Sequence, residues 1–103
     1  MDSLCDIYTL GIEAENINNI LEEIKSGTFV PGIYVLLLGT GNDKQIVIYP
    51  SWVLSVFPQK DAIIVGMSYG KDNAFKIVKA IAQEVYESTG ELDIYKYLKT
   101  TIN

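Results

Sequence analysis

A chain of 103 residues, 49% hydrophobic and 20% charged, has the size and balance of one folded domain and is too apolar to stay disordered. Its net charge of −5 comes from 13 acidic residues against 8 lysines, with neither arginine nor histidine. This composition argues against nucleic-acid binding, which relies on arginine and positive charge, and against catalytic or zinc sites built on imidazole.

The amino-terminal segment and the single cysteine predict the compartment. Residues 1–6 lack the basic and apolar regions of a signal peptide, and Cys5 has no second cysteine with which to form an internal disulfide. The longest apolar run, residues 33–38, is too short to cross a bilayer. We therefore expect a bacterial-type cytoplasmic protein that does not enter membranes and needs no cofactor.

The first two predicted elements are a strand and a helix. Residues 4–10 mix apolar and β-forming side chains and stop at Gly11, which predicts a short strand. Between residues 13 and 26, apolar side chains recur with the spacing of one helical face, at Ile17, Ile20, Leu21 and Ile24. Gly27 then predicts the end of this helix.

A β-hairpin follows. Residues 30–32 predict a turn into residues 33–38, which are apolar on both faces and are typical of a central strand. Residues 39–44 contain the glycines and Asn/Asp side chains of hairpin loops, and residues 45–49 predict the returning strand.

The segment after the hairpin is apolar and less regular. Pro50 ends the strand, and residues 51–57 predict either a short helix with Ser51 as its cap or an irregular apolar connector. Residues 62–68 predict a further strand.

Two helices are predicted at the carboxyl end. Residues 70–72 lead into a long helix over residues 73–88, which Gly90 closes, and a short helix follows from a cap at Asp93 to about Lys99. The long helix has an apolar stripe of Ala74, Val78, Ile81, Ala82 and Val85, widened by Phe75, Ile77 and Tyr86.

This order predicts an α+β domain over residues 1–103, with a small, mostly antiparallel sheet of three or four strands packed with helices. Side chains alternate across the central strand, so both sheet faces need cover. If the two amphipathic helices lie together on one face, the other must be covered by residues 52–57, by the terminal helix or by a second copy of the chain. We therefore expect a homodimer.

The stretch from Ser68 to Asn73 is the most site-like part of the sequence, because a strand delivers a glycine, a hydroxyl and a lysine to a helix start. The free N–H groups of a helix start attract anions such as phosphate or carboxylate. A plainer explanation is that Gly70 makes the turn and Asp72 or Asn73 caps the helix.

Two other patterns favour ordinary structure. Residues 39–42 resemble a phosphate-binding loop superficially, but they lack its Gly-Lys-Ser/Thr ending and its helix. The carboxylates that lie off the apolar stripes are most simply a solvated surface, and they are Glu22, Glu23, Glu84, Glu87 and Glu91.

An aromatic cluster is the remaining candidate for a binding site. It joins Tyr34, Tyr49, Trp52, Phe57 and Tyr69 beside the small residues Gly66 and Ser68, although core or interface packing explains the same residues. Cys5 has no sequence neighbour that lowers its pKa, so it is more simply a small packing residue.

The sequence leaves two functions open. The first is a non-catalytic interaction or regulatory module that self-associates and meets a protein partner. The second is a small-molecule or anion-binding protein that uses Trp52, Tyr69, Gly70 and Lys71. An enzyme that relies on Lys71, Asp6 or a tyrosine has no supporting residue pair.

Overall fold

The computed structural model of the chain describes residues 2–39, 45–59 and 61–99. Its strands are β1 Asp2–Leu10, β2 Ile33–Leu38, β3 Ile46–Pro50 and β4 Ile63–Tyr69. Its helices are α1 Ile17–Lys25, preceded by a 3-10 turn at Ala14–Asn16, then α2 Ser51–Val56, α3 Lys71–Thr89 and α4 Ile94–Lys99. The predicted α+β class and the predicted order of elements are confirmed.

The four strands form one sheet in the order β1-β4-β2-β3. Strand β2 pairs antiparallel with both β3 and β4, whereas β1 runs parallel to β4. The sheet is therefore mostly antiparallel, as predicted. The loop of the β2–β3 hairpin at residues 40–44 lies outside the described residues.

Each face of the sheet has its own core. The side chains of Leu36 and Leu38 pack with α3 and α4, while those of Val35 and Leu37 pack with α1 and α2. We call these the α3-side core and the α1-side core. The two amphipathic helices α1 and α3 therefore do not share a face, and helices of the same chain lie on both faces of the sheet. The expectation of a homodimer rests on a sheet face that lacks cover, and this reason fails since both faces carry helices of the same chain.

Strand β4 has a β-bulge beside Gly66, and β1 packs closely against that glycine. Leu36 pairs with Gly66 but Leu37 pairs with Ile64, so Val65 is an extra residue in β4. A Cβ atom on Gly66 would lie 2.9 Å from the Tyr8 carbonyl oxygen. The space that the sequence predicts beside Gly66 is therefore filled by β1.

Hydrogen bonds between residues close in sequence fix the end of α1 and the start of α4. After α1, Gly27 adopts φ 83°, its N–H donates to Ile24, and the Thr28 N–H donates to Glu23, which is the Schellman arrangement. The Asp93 carboxylate accepts a 3.0 Å hydrogen bond from the Lys96 N–H, so the predicted cap of α4 is confirmed.

The buried face of α3 is narrower than the sequence indicates. Ala74, Ile77, Ile81 and Val85 are buried. Phe75 and Tyr86, which the sequence adds to the apolar stripe, are instead exposed. No helix within the described stretches is long and apolar enough to cross a membrane.

Candidate functional site

The start of helix α2 is fixed by a serine that reaches another part of the chain. The Val30 N–H donates to Ser51 Oγ at 3.1 Å, and the Ser51 hydroxyl donates to the Val30 carbonyl at 2.6 Å. Ser51 is only 1% exposed. The predicted helix is confirmed, but the prediction that Ser51 caps it is wrong, because the N-cap position is Pro50 and no side chain caps the helix. Ser51 instead joins α2 to the segment before β2.

This junction supports an exposed apolar surface. Leu54 points into the α1-side core, so the opposite side of the short helix faces solvent. There Trp52 is 52% exposed, Val56 59% and Phe57 63%. Phe29, beside the Val30 that contacts Ser51, is 51% exposed. We call these four residues the α2 patch.

The α2 patch and the strand before it belong to an uncharged tract. Residues 45–59, which include β3 and α2, contain no Asp, Glu, Lys or Arg, although the chain as a whole carries −5. Exposed large apolar side chains that cluster usually mark a surface on which another molecule packs. An exposed apolar surface is expected of an interaction module, whereas a small-molecule binder is expected to have an enclosed pocket.

A groove of about 500 Å³ runs along the other side of β3. Its floor is mostly apolar, and Lys71 and Phe75 of α3 form its far wall. The Lys71 ammonium lies 6.0 Å from the centre of the Phe75 ring, a distance at the limit of a cation–π contact. The complete lining is Tyr34, Ile46, Val47, Ile48, Pro50, Lys71 and Phe75.

At the predicted anion site at the start of α3, two of the polar side chains bond to backbone carbonyls of the same segment. Ser68 is buried and donates to the Gly70 carbonyl at 2.9 Å, while the Asn73 amide donates to the Tyr69 carbonyl at 2.8 Å. Gly70 is the N-cap, with φ 88°, and no side chain caps the helix. The prediction that Asp72 or Asn73 caps it is therefore wrong.

The predicted ligand-binding residues are divided between layers. Trp52 stands on α2, against the α1-side core, whereas Lys71 belongs to α3 on the opposite face. The Tyr69 ring lies against Gly32, where a Cβ would come within 2.6 Å of Cε2. Gly70 only begins the helix. Of the four, Lys71 alone lines the groove.

The predicted aromatic cluster is also divided. Tyr34 of β2 packs against the α3-side core, and Tyr49 of β3 packs against the α1-side core. The two side chains therefore lie on opposite faces of the sheet. Trp52 and Phe57 are exposed on or beside α2. The sequence predicts Trp52 as part of an aromatic pocket or of core or interface packing, whereas the structure distinguishes it from the packed Tyr34 and Tyr49 and leaves about half of its surface exposed.

A side-chain hydrogen bond joins β1 to α3, and the sequence did not predict it. The Tyr8 hydroxyl donates to the Glu84 carboxylate. Partial burial, together with that carboxylate, raises the pKa of Tyr8 well above its usual range. Glu84 is exposed, as expected of a solvated surface, but it also ties the first strand to a helix.

Within residues 2–39, 45–59 and 61–99, no three His, Cys, Asp or Glu side chains lie close enough to hold a metal ion. The side chain of Cys5 is outside those described. No protein-family model, curated protein or solved structure matches this chain.

Proposed function

We propose that this protein is a small non-catalytic interaction module that self-associates through the α2 patch. The observation that carries the proposal is the exposure of Trp52 and Val56 on the uncharged helix α2 and of Phe57 directly after it. Tryptophan at the centre of an apolar surface is the residue type most often responsible for binding energy at interfaces.

The distribution of charge favours a second copy of the chain as the partner. Two molecules that each carry −5 repel one another at long range. They can approach closely only through a surface that places no carboxylate opposite another carboxylate. The uncharged tract of residues 45–59 meets this requirement, and the same surface on both copies is what a twofold dimer needs.

The test compares the solution mass of three proteins over a range of concentrations, by light scattering behind a sizing column. We expect the wild-type mass to rise from 11.5 kDa toward twice that value. Trp52→Glu places a charge in the patch and should weaken association by about 30-fold, the equivalent of about 2 kcal/mol. Tyr86→Glu is the matched control, because Tyr86 is 58% exposed on α3; it should dimerise like the wild type.

Two outcomes contradict the proposal. If the wild type stays monomeric at every concentration, the protein does not self-associate, and a different protein partner becomes the use of the patch. If both variants weaken the dimer equally, the interface is not specific to α2.

Binding of a small molecule or anion is the second candidate function. The observation that favours it is that Lys71 stands at an apolar groove with Phe75 beside it, so a carboxylate with a flat apolar body fits both groups. Benzoate should then raise the melting temperature of the wild type and of Lys79→Gln, but not of Lys71→Gln. An equal response from both variants contradicts this function.

A further inference from the structure

Among residues 2–39, 45–59 and 61–99, no strand pairs with the outer edge of β3. β3 lies at the end of the sheet, and its five residues pair with β2 without a register shift. Exposed sheet edges are usually blunted by charges, bulges or proline. β3 has no charged residue and no bulge, and its proline, Pro50, stands at the last position.

The direction of the backbone groups in β2 shows which groups of β3 face outward. The Gly70 N–H donates to the Gly32 carbonyl at 2.9 Å, so the carbonyl directly before β2 points toward β4. Directions alternate along a strand, so Tyr34, two residues later, also faces β4 and not β3. Its partner in β3 is Pro50, which has no N–H to offer and fits this position.

The same alternation applies along β3 itself. Val47 and Tyr49 bond to β2, while Ile46 and Ile48 direct their N–H and carbonyl groups away from the sheet. Pro50 adds an outward carbonyl but no donor. The edge therefore offers two complete sets of donor and acceptor, which is enough for a neighbouring strand.

Apolar surface flanks this edge on both sides of the sheet. The 500 Å³ groove, with Phe75 on its wall, borders β3 on the face that carries α3. On the other face, β3 runs directly into α2 and the exposed Trp52. A strand laid beside β3 would thus gain side-chain contacts above and below its hydrogen bonds.

We infer that β3 pairs antiparallel with β3 of a second copy across a twofold axis, which joins two four-stranded sheets into one of eight strands. This inference rests on the proposed self-association and specifies its geometry. An antiparallel pair of identical strands is self-complementary, because each donor of one copy meets the matching acceptor of the other. The absence of charge on β3 removes the like-charge contacts that this pairing would otherwise create.

The size of the edge explains why the α2 patch belongs to the same interface. Stable interfaces bury roughly 800 Å² on each partner, about an eighth of the 6280 Å² of this chain. Five strand residues cover less than this area. The flanking Phe75 and α2 patch supply the additional apolar surface, and Trp52 follows β3 by only two residues.

Hydrogen exchange measured residue by residue, at low and high protein concentration, tests the geometry on the wild-type chain. The mass of the same samples is measured in parallel. We expect the amides of Ile46 and Ile48 to exchange at least tenfold more slowly in the dimer than in the monomer. The amides of Val47 and Tyr49, which bond to β2, serve as internal controls because they are protected in both states.

The outcomes separate this inference from the proposed function. A dimer without added protection at Ile46 and Ile48 overturns strand pairing and leaves self-association intact. A chain that is monomeric at all concentrations overturns both.

A variant gives a second measurement. Ile48→Pro removes an outward N–H that β2 does not use, so it should reduce dimer affinity at least tenfold, whereas Ile48→Val should dimerise normally. Equal dimerisation of both folded variants contradicts the inference. If Ile48→Pro does not fold, the exchange measurement on the wild type still decides.

Discussion

The two edges of the sheet receive opposite treatment. At the β1 edge, pairing with β4 is irregular between Ser3 and Tyr8, Asp6 is exposed, and Tyr8 is tied to Glu84 of α3. At the β3 edge, pairing is regular and the strand is uncharged. The β3 edge borders the apolar groove and runs directly into α2 with its exposed Trp52.

This contrast shows that the side chains and the register of an edge strand determine whether another strand can pair with it. Irregular pairing, a charge and a side-chain tie discourage a partner at β1. The described residues of β3 pair regularly with β2 and carry no charge, and the uncharged helix α2 continues from this strand. Three substitutions near these edges should each lower the free energy of unfolding, by amounts that decrease from the first to the third.

The largest effect is expected where β1 meets β4. Gly66→Val would force side-chain atoms against the Tyr8 carbonyl, which already lies 2.9 Å from the position of a Cβ. Because the obstacle is backbone, β1 must move, and we expect a loss of about 3 kcal/mol in the free energy of unfolding. Urea denaturation measures the loss. Ala80→Val, at an exposed position of α3, should lose only about 0.5 kcal/mol, and a similar loss in both variants would refute the close approach.

The next effect concerns the support of α2, beside the β3 edge. Ser51→Ala leaves the Val30 backbone groups without their buried partner, and we expect it to cost about 1–3 kcal/mol. Ser55→Ala is the matched control, since the Ser55 hydroxyl bonds to Trp52 within the same exposed helix; it should cost less than about 0.5 kcal/mol. Thermal unfolding of the two variants gives the comparison. Equal stability would show that Ser51 does not hold α2 in place.

The smallest effect concerns the tie that closes the β1 edge. Tyr8→Phe removes the hydrogen bond to Glu84 and should cost about 1 kcal/mol at neutral pH. The pKa of Tyr8 is raised in the folded state, so the unfolded chain loses this proton first. Its stabilising contribution is complete below the ordinary tyrosine pKa of about 10 and falls as the pH rises further.

Denaturation of the wild type and Tyr8→Phe from pH 8 to pH 11 checks the sign. The wild type should lose more stability than Tyr8→Phe above pH 10. Tyr86→Phe, which alters an exposed tyrosine, is the control and should follow the wild type. Parallel curves for all three proteins would show that the Tyr8–Glu84 hydrogen bond does not stabilise the β1 edge.

Elements whose causes are local could be predicted from the sequence. The run at residues 33–38 coincides with β2 Ile33–Leu38, since an apolar β-forming segment between turn residues has few alternatives. Gly27 and Gly90 end α1 and α3, because a left-handed residue after a helix favours glycine.

Contacts between distant parts of the chain could not be predicted in the same way. Ser51 and Asn73 have the composition of caps, but Ser51 bonds to Val30, which is 21 residues earlier, and Asn73 bonds back to Tyr69. The face that each helix covers is also a tertiary choice, since a periodic stripe shows which side of α1 is apolar and not where α1 packs.

The candidate interaction surface had a signal in the sequence. Residues 45–59 form a long stretch without charge, and within it Trp52 and Val56 are four residues apart, on one side of a helix whose inward residue is Leu54. Trp52 is thus exposed on a helix, whereas Tyr34 and Tyr49 lie on strands and pack against the two cores.

The pairing of β1 with β4 also sets an order of assembly during synthesis. The β2–β3 hairpin joins segments that are neighbours in the chain, so it can close early. β1 precedes its pairing partner β4 by more than fifty residues, since β4 begins at Ile63 and β1 ends at Leu10. During synthesis, β1 must therefore remain without its partner strand, with Leu4 and Ile7 not yet covered by the completed core, until the chain as far as Tyr69 has emerged.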